Sequence, residues 1–493
     1  MESAMAELNH LHPSSSTIRA SLKQLLQGRV AVWCLLLLGC SAADPVTEAS
    51  RTERRPNIVL VMADDLGWGD TSYNGHSTLP TPHLDALAAR GITLDRFYAA
   101  APVCSPTRAS VLTGRHPYRY GITFANVGHL PAEELTLAEL LQGEGYRTGH
   151  FGKWHLGTLT RDIQDGRRGG RKNEHYAPPW EHGFDECFST EQAVATWDPM
   201  DAQFLSNPTR YWTGPGQIET ENLAGDDSRV IMDRVVPFLE RAADADEPFL
   251  AVVWLHAPHQ PVVAGDEYRA RFSERTNGKQ HYYGVVSALD EQVGRLQEQL
   301  EVLGLAEDTL LWFCSDNGPE GTTAGLKKAD NRYQGSAGPY RGRKRSLYEG
   351  GVRVPGILVW PGHIAPGTRT SFPMVTSDYL PTIVDLLGLE LPPGRPLDGI
   401  SLLPALNGQQ ELRAAPIGFE SKRQLAWTTD RYKLVSQDGG ETFELYNPEE
   451  DPGESLDLAP MQPEVVERLR RDLEAWRRSC LASVAGADYA TRD

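Results

Sequence analysis

Cys104 stands in the run Cys104-Ser105-Pro106-Thr107-Arg108-Ala109-Ser110-Val111-Leu112-Thr113-Gly114, in which Ser105 reads as a helix N-cap, Pro106 as the first helical residue and Gly114 as the stop. The cysteine is thus expected at the mouth of a short helix. Unpaired N–H groups and the positive end of the helix dipole favour a thiolate or a bound tetrahedral oxyanion there. Arg108, one turn along, adds a fixed charge on the same side. The chemistry implied is that of a nucleophile beside an anion site.

Other groups along the chain have complementary chemistry. Asp64-Asp65 and Asp316-Asn317 offer only oxygen ligands, which suits a hard cation, Ca²⁺ before Mg²⁺. Lys153 and His155 lie in Gly152-Lys153-Trp154-His155-Leu156-Gly157, and His256 and His259 in His256-Ala257-Pro258-His259-Gln260-Pro261. Lys344 opens Lys344-Arg345-Ser346-Leu347-Tyr348-Glu349-Gly350-Gly351-Val352-Arg353-Val354-Pro355. Any one of these alone is more commonly a core, capping or solvated residue. Their joint presence requires elements that bring them together.

Those elements are legible as strands. Asn57 to Ala63 is a continuous apolar run that suits a strand buried on both faces, and it ends in Asp64 and Asp65. Arg147 to Phe151 runs towards Lys153 and His155, Phe249 to Leu255 into His256, and Thr309 to Cys314 into Ser315 and Asp316. In a mostly parallel sheet these carboxyl ends share one edge, where ligands bind. Tyr282 to Leu303 has apolar residues three and four apart, as an amphipathic helix requires. The alternation predicts an α/β sandwich with a large, mixed, mostly parallel sheet between helices. Past Pro392, short strands at Arg431 to Val435 and Glu441 to Tyr446, then a helix from Pro463 to Cys480, predict a smaller α+β subdomain with an antiparallel sheet, read as scaffolding. The polar insertion 158–182, with Arg167-Arg168-Gly169-Gly170-Arg171-Lys172, reads as a solvated loop that could touch a sulfated polymer, and the Gly-rich loop Gly321 to Arg343 as a flank of the cleft.

The chain has 493 residues with 48 basic and 66 acidic, a formal charge of −18, which argues against a nucleic-acid partner bound through a global positive field. Arg19, Lys23 and Arg29 precede the apolar run Val30 to Leu38, too short to span a bilayer and shaped like a signal peptide. Leu37-Leu38-Gly39-Cys40 resembles a bacterial lipobox with Cys40 as the acylated residue, so the expectation is an exported protein, a periplasmic or outer-membrane lipoprotein of a bacterium held to the membrane by its N-terminal lipid. The expected division is 1–40 signal with lipobox, 41–55 tether, 56–391 catalytic domain and 392–493 C-terminal subdomain. Cys187, Cys314 and Cys480, odd in number and far apart, form no disulfide framework.

The spacing Cys-x-Pro-x-Arg followed by Ala-Ser-Val-Leu-Thr-Gly-Arg, with the other motifs in order, resembles the formylglycine-dependent sulfatases from Arg55 to about Leu458. Tyr176-Ala177-Pro178-Pro179-Trp180-Glu181-His182-Gly183-Phe184 and Trp197-Asp198-Pro199 are similar to the arylsulfatase A and N-acetylgalactosamine-6-sulfatase type. The resemblance implies an alkaline-phosphatase-like fold and hydrolysis of sulfate esters of carbohydrates or aryl alcohols. It implies that a separate maturation enzyme oxidises Cys104 to 3-oxoalanine (formylglycine), whose hydrate is the nucleophile. Calcium would be held by Asp64, Asp65, residue 104, Asp316 and Asn317. Arg108, Lys153 and Lys344 would meet the sulfuryl charge, His259 would protonate the leaving alcohol, and His155 would then take the proton of the second hydroxyl as the sulfated residue expels sulfate and the aldehyde is restored. Two alternatives remain open: a phosphate mono- or diester hydrolase of the same superfamily, and a non-catalytic lipoprotein that binds sulfated glycans.

Overall fold

The computed structural model describes residues 55–489, apart from 169–172, 206 and 323. The expected signal, lipobox and nearly all of the tether, together with Gly169 to Lys172 of the basic run, lie outside the described residues.

Ten strands form one sheet, in the spatial order Thr368–Thr370, Ile92–Leu94, Gly356–Val359, Thr309–Ser315, Asn57–Ala63, Phe249–Trp254, Arg147–Lys153, Glu186–Thr190, Trp212–Gly214 and Gln217–Ile218. From Thr309–Ser315 to Glu186–Thr190 every neighbouring pair is parallel, while Gly356–Val359 and Trp212–Gly214 pair antiparallel at the flanks. The sheet is therefore mixed and mostly parallel, as predicted. Asn57–Ala63 is buried along its whole length because both of its faces are covered. Val59, Val61 and Ala63 enter a core with the helices Pro82–Arg90, Asp227–Ala245 and Asn277–Val302. Ile58, Leu60 and Met62 enter the opposite core, with Cys104–Thr113, Leu137–Gly143 and Tyr379–Leu386. The twofold alternation of a strand thus divides one apolar run between two layers.

The four strands predicted to end in polar groups are neighbours in this sheet, so Asp64, Lys153, His256 and Asp316 emerge along one edge. The Cys104–Thr113 helix closes on Gly114, whose φ of 68° is the left-handed stop expected of it. Its start differs from the prediction: Val103 is the N-cap, and Ser105 lies inside the first turn. The Ser105 hydroxyl is drawn away by tertiary partners, accepting from Asn126 N and Arg168 Nη2 at 3.3 Å each. Pro106 still falls where an N–H would have no intrahelical acceptor.

A separate antiparallel sheet contains Ile417–Ser421, Gln424–Thr428, Lys433–Ser436 and Glu444–Tyr446. The helix Pro463–Val484 packs Leu469 and Leu473 against Leu425, Trp427, Leu434 and Leu445. The strand expected from Glu441 starts later because Asp438 gathers Glu441 N, Thr442 N and the Thr442 hydroxyl into a turn. Cys104, Cys187, Cys314 and Cys480 are all free and buried, so no described disulfide contributes to stability.

Candidate active site

Two sharp turns bring the strand ends inward. Asp65 and His155 adopt φ of 67° and 59°, left-handed values that residues with a side chain keep only when their surroundings demand it. At Asp65 the demand is partly met by its N–H, which donates to Asp316 Oδ1 at 3.1 Å. His155 follows the end of the Arg147–Lys153 strand, and its Nε2 meets Asn126 Oδ1 at 2.8 Å.

Charged groups alternate around these turns. Lys153 Nζ donates to Asp64 Oδ2 at 2.6 Å, and Arg108 reaches the same oxygen at 3.3 Å. Arg108 also donates to Asp316 Oδ2 from Nε and Nη2 at 3.1 and 2.7 Å and to Lys153 O at 3.1 Å, with its guanidinium 5.3 Å above the Trp254 ring. Lys344 Nζ donates to Asp65 Oδ1 at 2.5 Å, and Asn317 Nδ2 donates to that oxygen at 2.7 Å. Asp64, Arg108, Asp316 and Asn317 are fully buried, so each ion depends on its partners. For Asp64, burial works to raise the carboxyl pKa, but Lys153, His259, Arg108 and Lys344 together hold it well below the usual carboxylate range. Asp316 moves up, through burial first and the neighbouring Asp64 charge second. Burial lowers Lys344, yet Asp65 and the other acids more than reverse this and keep it protonated.

Above this lattice is a pocket of about 130 Å³ lined by Cys104, Asn126, His155, Arg167, His259, Gln260, Lys344 and Arg345 among others. The Cys104 thiol is pushed up to about 11 by burial despite Lys153 and Lys344. Of the two expectations, a thiolate or a bound oxyanion, burial disfavours the first, because desolvation of an enclosed sulfur outweighs the helix mouth and two lysines. His259 places Nδ1 2.6 Å from Gln260 O, which assigns the proton to Nδ1 and leaves Nε2 3.8 Å from Asp65 Oδ2. Burial lowers His259 to about 4, with Asp64 and Asp65 offsetting only part of it. His155 falls well below the ordinary histidine value, through burial and then Lys153. Its buried Nδ1 has no hydrogen-bond partner.

Asp64 Oδ1, Asp65 Oδ2 and Asn317 Oδ1 are buried acceptors without a hydrogen-bond partner. Unpaired buried oxygens of this kind fit a hard cation, and ligand atoms of Asp64, Asp65, Cys104 and His259 lie within 4.8 Å of one another. Asp316 accepts from Asp65 N at one oxygen and from Arg108 at the other, much as Asp64 and Asp65 accept from Lys153, Arg108 and Lys344, and each carboxylate oxygen keeps a further lone pair for a cation. His256 also stands apart: it is fully buried between Thr190 Oγ1 at 2.8 Å and Asp227 Oδ2 at 2.7 Å. Arg168, expected in a solvated loop, is buried and spans Glu191, Gly128 O, Ser105 and His155 O. Asn126, Gln260 and Arg345 were not predicted as site residues: Asn126 lies outside every motif, and Gln260 and Arg345, though inside the His259 and Lys344 motifs, reach the pocket only through the folded conformation of their loops.

The sulfatase family profile matches residues 56–389. The chain belongs to the sulfatase family. The profile of the N-sulphoglucosamine sulphohydrolase C-terminal region matches residues 340–479 of this sulfatase. N-acetylgalactosamine-6-sulfatase of Sus scrofa is 35% identical over 422 residues, covering 81% of this chain and 75% of its own. Steryl-sulfatase of Rattus norvegicus is 33% identical, covering 76% and 74%. The crystal structure of Ps i-CgsB in complex with k-i-k-neocarrahexaose aligns with a TM-score of 0.74 and 28% identity, over 89% of this chain and 98% of that one. The family, the alkaline-phosphatase-like fold and the class of sulfuric ester hydrolase, all expected from the motifs, are thereby borne out. Among the described residues no helix of this sulfatase is long and apolar enough to cross a membrane.

Proposed function

We propose that this sulfatase removes sulfate from sulfated carbohydrates by way of a formylglycine made from Cys104, with Ca²⁺ at the adjoining acidic cluster. The observation that carries the reading is the placement of Cys104 in a small pocket with His155, His259 and Lys344. The names of an N-acetylgalactosamine-6-sulfatase relative and of a structural neighbour bound to a neocarrahexaose support a glycan substrate. Asp64, Asp65, Asp316, Asn317 and residue 104 would hold the metal, which would supply positive charge to the sulfate oxygens. The hydrated aldehyde supplies an oxygen nucleophile in place of the thiol.

The side chains divide the remaining work. Lys153 and Lys344 offset the charge of the transferring sulfuryl group, while Arg108, pinned by Asp316, adds a charge that cannot swing away. His155, neutral with a bare Nδ1, is fitted to accept the proton that the second hydroxyl of residue 104 would give up as sulfate leaves. His259 presents Nε2 towards the pocket, and a bound sulfate ester anion raises its pKa, so the imidazole takes up from solvent on substrate binding the proton that it gives to the leaving alcohol. We further propose export as a lipoprotein through Cys40, supported by the basic and apolar residues before it.

Sulfate release from defined sulfated oligosaccharides, with an aryl sulfate and an aryl phosphate alongside, tests this function. The matured protein should release sulfate, its residue 104 peptide should have the mass of an aldehyde, and Cys104→Ala should be inactive. Full activity in the alanine variant would remove the formylglycine route, and preference for the phosphate would favour the phosphoesterase alternative.

A further inference from the structure

The segment Arg341 to Glu349 brings Lys344 into the pocket, yet much of what fixes it belongs to the C-terminal sheet. Arg341 Nη1 donates to Tyr446 OH at 3.0 Å and to Glu454 O at 3.1 Å. The Tyr348 hydroxyl donates to Glu444 at 2.6 Å, and the buried Lys433 donates to Glu349 at 2.7 Å. Between these anchors one side chain grips the turn next to Lys344: Gln424 donates Nε2 to Arg345 O at 2.7 Å and accepts from Leu347 N at Oε1, 3.0 Å away.

The gripped residue is the strained one. Arg345 has φ of 74°, a left-handed value that a long side chain disfavours and that persists only where neighbours over-determine it. Its N–H donates to Pro102 O at 2.8 Å, two residues before Cys104, and Lys344 N donates to Pro319 O at 3.1 Å, two residues after Asn317. The turn therefore hangs from the Cys104 loop, the Asn317 loop, Gln424 and Glu320, whose carboxylate accepts from Arg345 Nη1 and Nη2 at 2.7 and 2.8 Å. Glu320 holds only the guanidinium end of Arg345, so loss of Gln424, which holds the Arg345 carbonyl and the Leu347 N–H, lets the backbone relax and moves the segment that aims Lys344 at Asp65 and the pocket.

We infer that Gln424 is a positioning residue for Lys344, so that the C-terminal sheet takes part in setting the active site. The inference rests on the sulfuryl-binding role proposed above for Lys344. A displacement of about 1 Å at a reacting group costs on the order of 10²-fold in rate, so Gln424→Ala should lose about 10–100-fold in kcat/KM. Gln424→Met, which keeps the volume and lacks both hydrogen bonds, should lose as much.

The test is a double-mutant cycle in the matured holoenzyme on an activated aryl sulfate, with amide hydrogen exchange measured on the same proteins. In a Lys344→Ala background Gln424→Ala should cost nothing further, because its effect passes through the missing lysine. Exchange should rise in the Arg345 to Leu347 peptide while Lys433–Ser436 stays protected, and Arg423→Ala, an exposed neighbour, should leave kcat/KM unchanged. Losses that multiply in the double variant, or unchanged exchange, or wild-type kcat/KM in both Gln424 variants, would overturn the inference. A wild type that releases no sulfate would overturn the functional reading instead, with the exchange experiment still deciding whether Gln424 clamps the turn.

Discussion

His259 and His155 are both buried imidazoles lowered by desolvation, yet their hydrogen bonds give them different chemistry. His259 commits Nδ1 to Gln260 O and shows Nε2 to the pocket, whereas His155 commits Nε2 to Asn126 and keeps Nδ1 bare. In the proposed role of general acid, His259 would matter in proportion to the basicity of the leaving group. His259→Ala should thus lose about 10²–10⁴-fold in kcat/KM on a sugar sulfate and far less on a nitrophenyl sulfate. Steady-state kinetics on both substrates checks this, and equal losses with leaving-group cleavage rate-limiting would pass the acid role to Lys344. At this scale the motif residues were legible because their spacing is local. Asn126 was not, since its φ of 63° and its bond to His155 exist only after the loop has folded over the strand end.

At the scale of elements, His116 marks where the turn after the Cys104–Thr113 helix meets the C-terminal helix. Its ring lies edge-on to Trp476 with centroids 4.8 Å apart, and its buried Nε2 has no partner. Burial lowers it from 6.5 to about 4, with Asp398 opposing. The unfolded chain then binds the proton more readily than the folded one. The associated stability is fully present above pH 6.5, is lost as pH falls through about 4, and amounts to about 3 kcal/mol. His116→Asn should lose less stability than wild type between those pH values, measured as melting temperature against pH, and parallel curves would contradict the assignment. The strand Asn57–Ala63 was readable to the residue because a doubly covered strand is apolar throughout. Ile417–Ser421 and Gln424–Thr428 escaped notice: Gly418, Glu420 and Gln424 break the apolar pattern, and pairing across the Lys422-Arg423 turn supplies what the pattern lacks.

For the whole molecule, the parallel sheet gathers acids on one edge at a cost that the three lysine and arginine partners only partly offset. Asp64 Oδ1, Asp65 Oδ2 and Asn317 Oδ1 remain unsatisfied. Added Ca²⁺ should therefore stabilise the fold, by about 2.7 kcal/mol at a hundredfold excess over Kd, and a chelator should reverse this. Asp65→Asn should abolish most of the calcium-dependent rise in melting temperature, and an undiminished rise would place the ion elsewhere. The edge itself was predictable from four strand endings, but the web of ion pairs that ties its acids to Lys153, Arg108 and Lys344 was not. Asp316 meets Arg108 only once the Cys104–Thr113 helix has packed on the sheet, which leaves no trace in the order of residues.

Cys104 is only 2% exposed, at the floor of a pocket closed by Lys344, His259 and Arg345. A small substrate group fits such a space, but the active site of another protein does not. An enzyme that oxidises this thiol must therefore meet the segment while it is still an extended chain, before the sheet edge and the Arg345 turn have closed over it. Under the proposed maturation, modification and folding would be competing events in time, and a chain that folded first would keep its thiol for life.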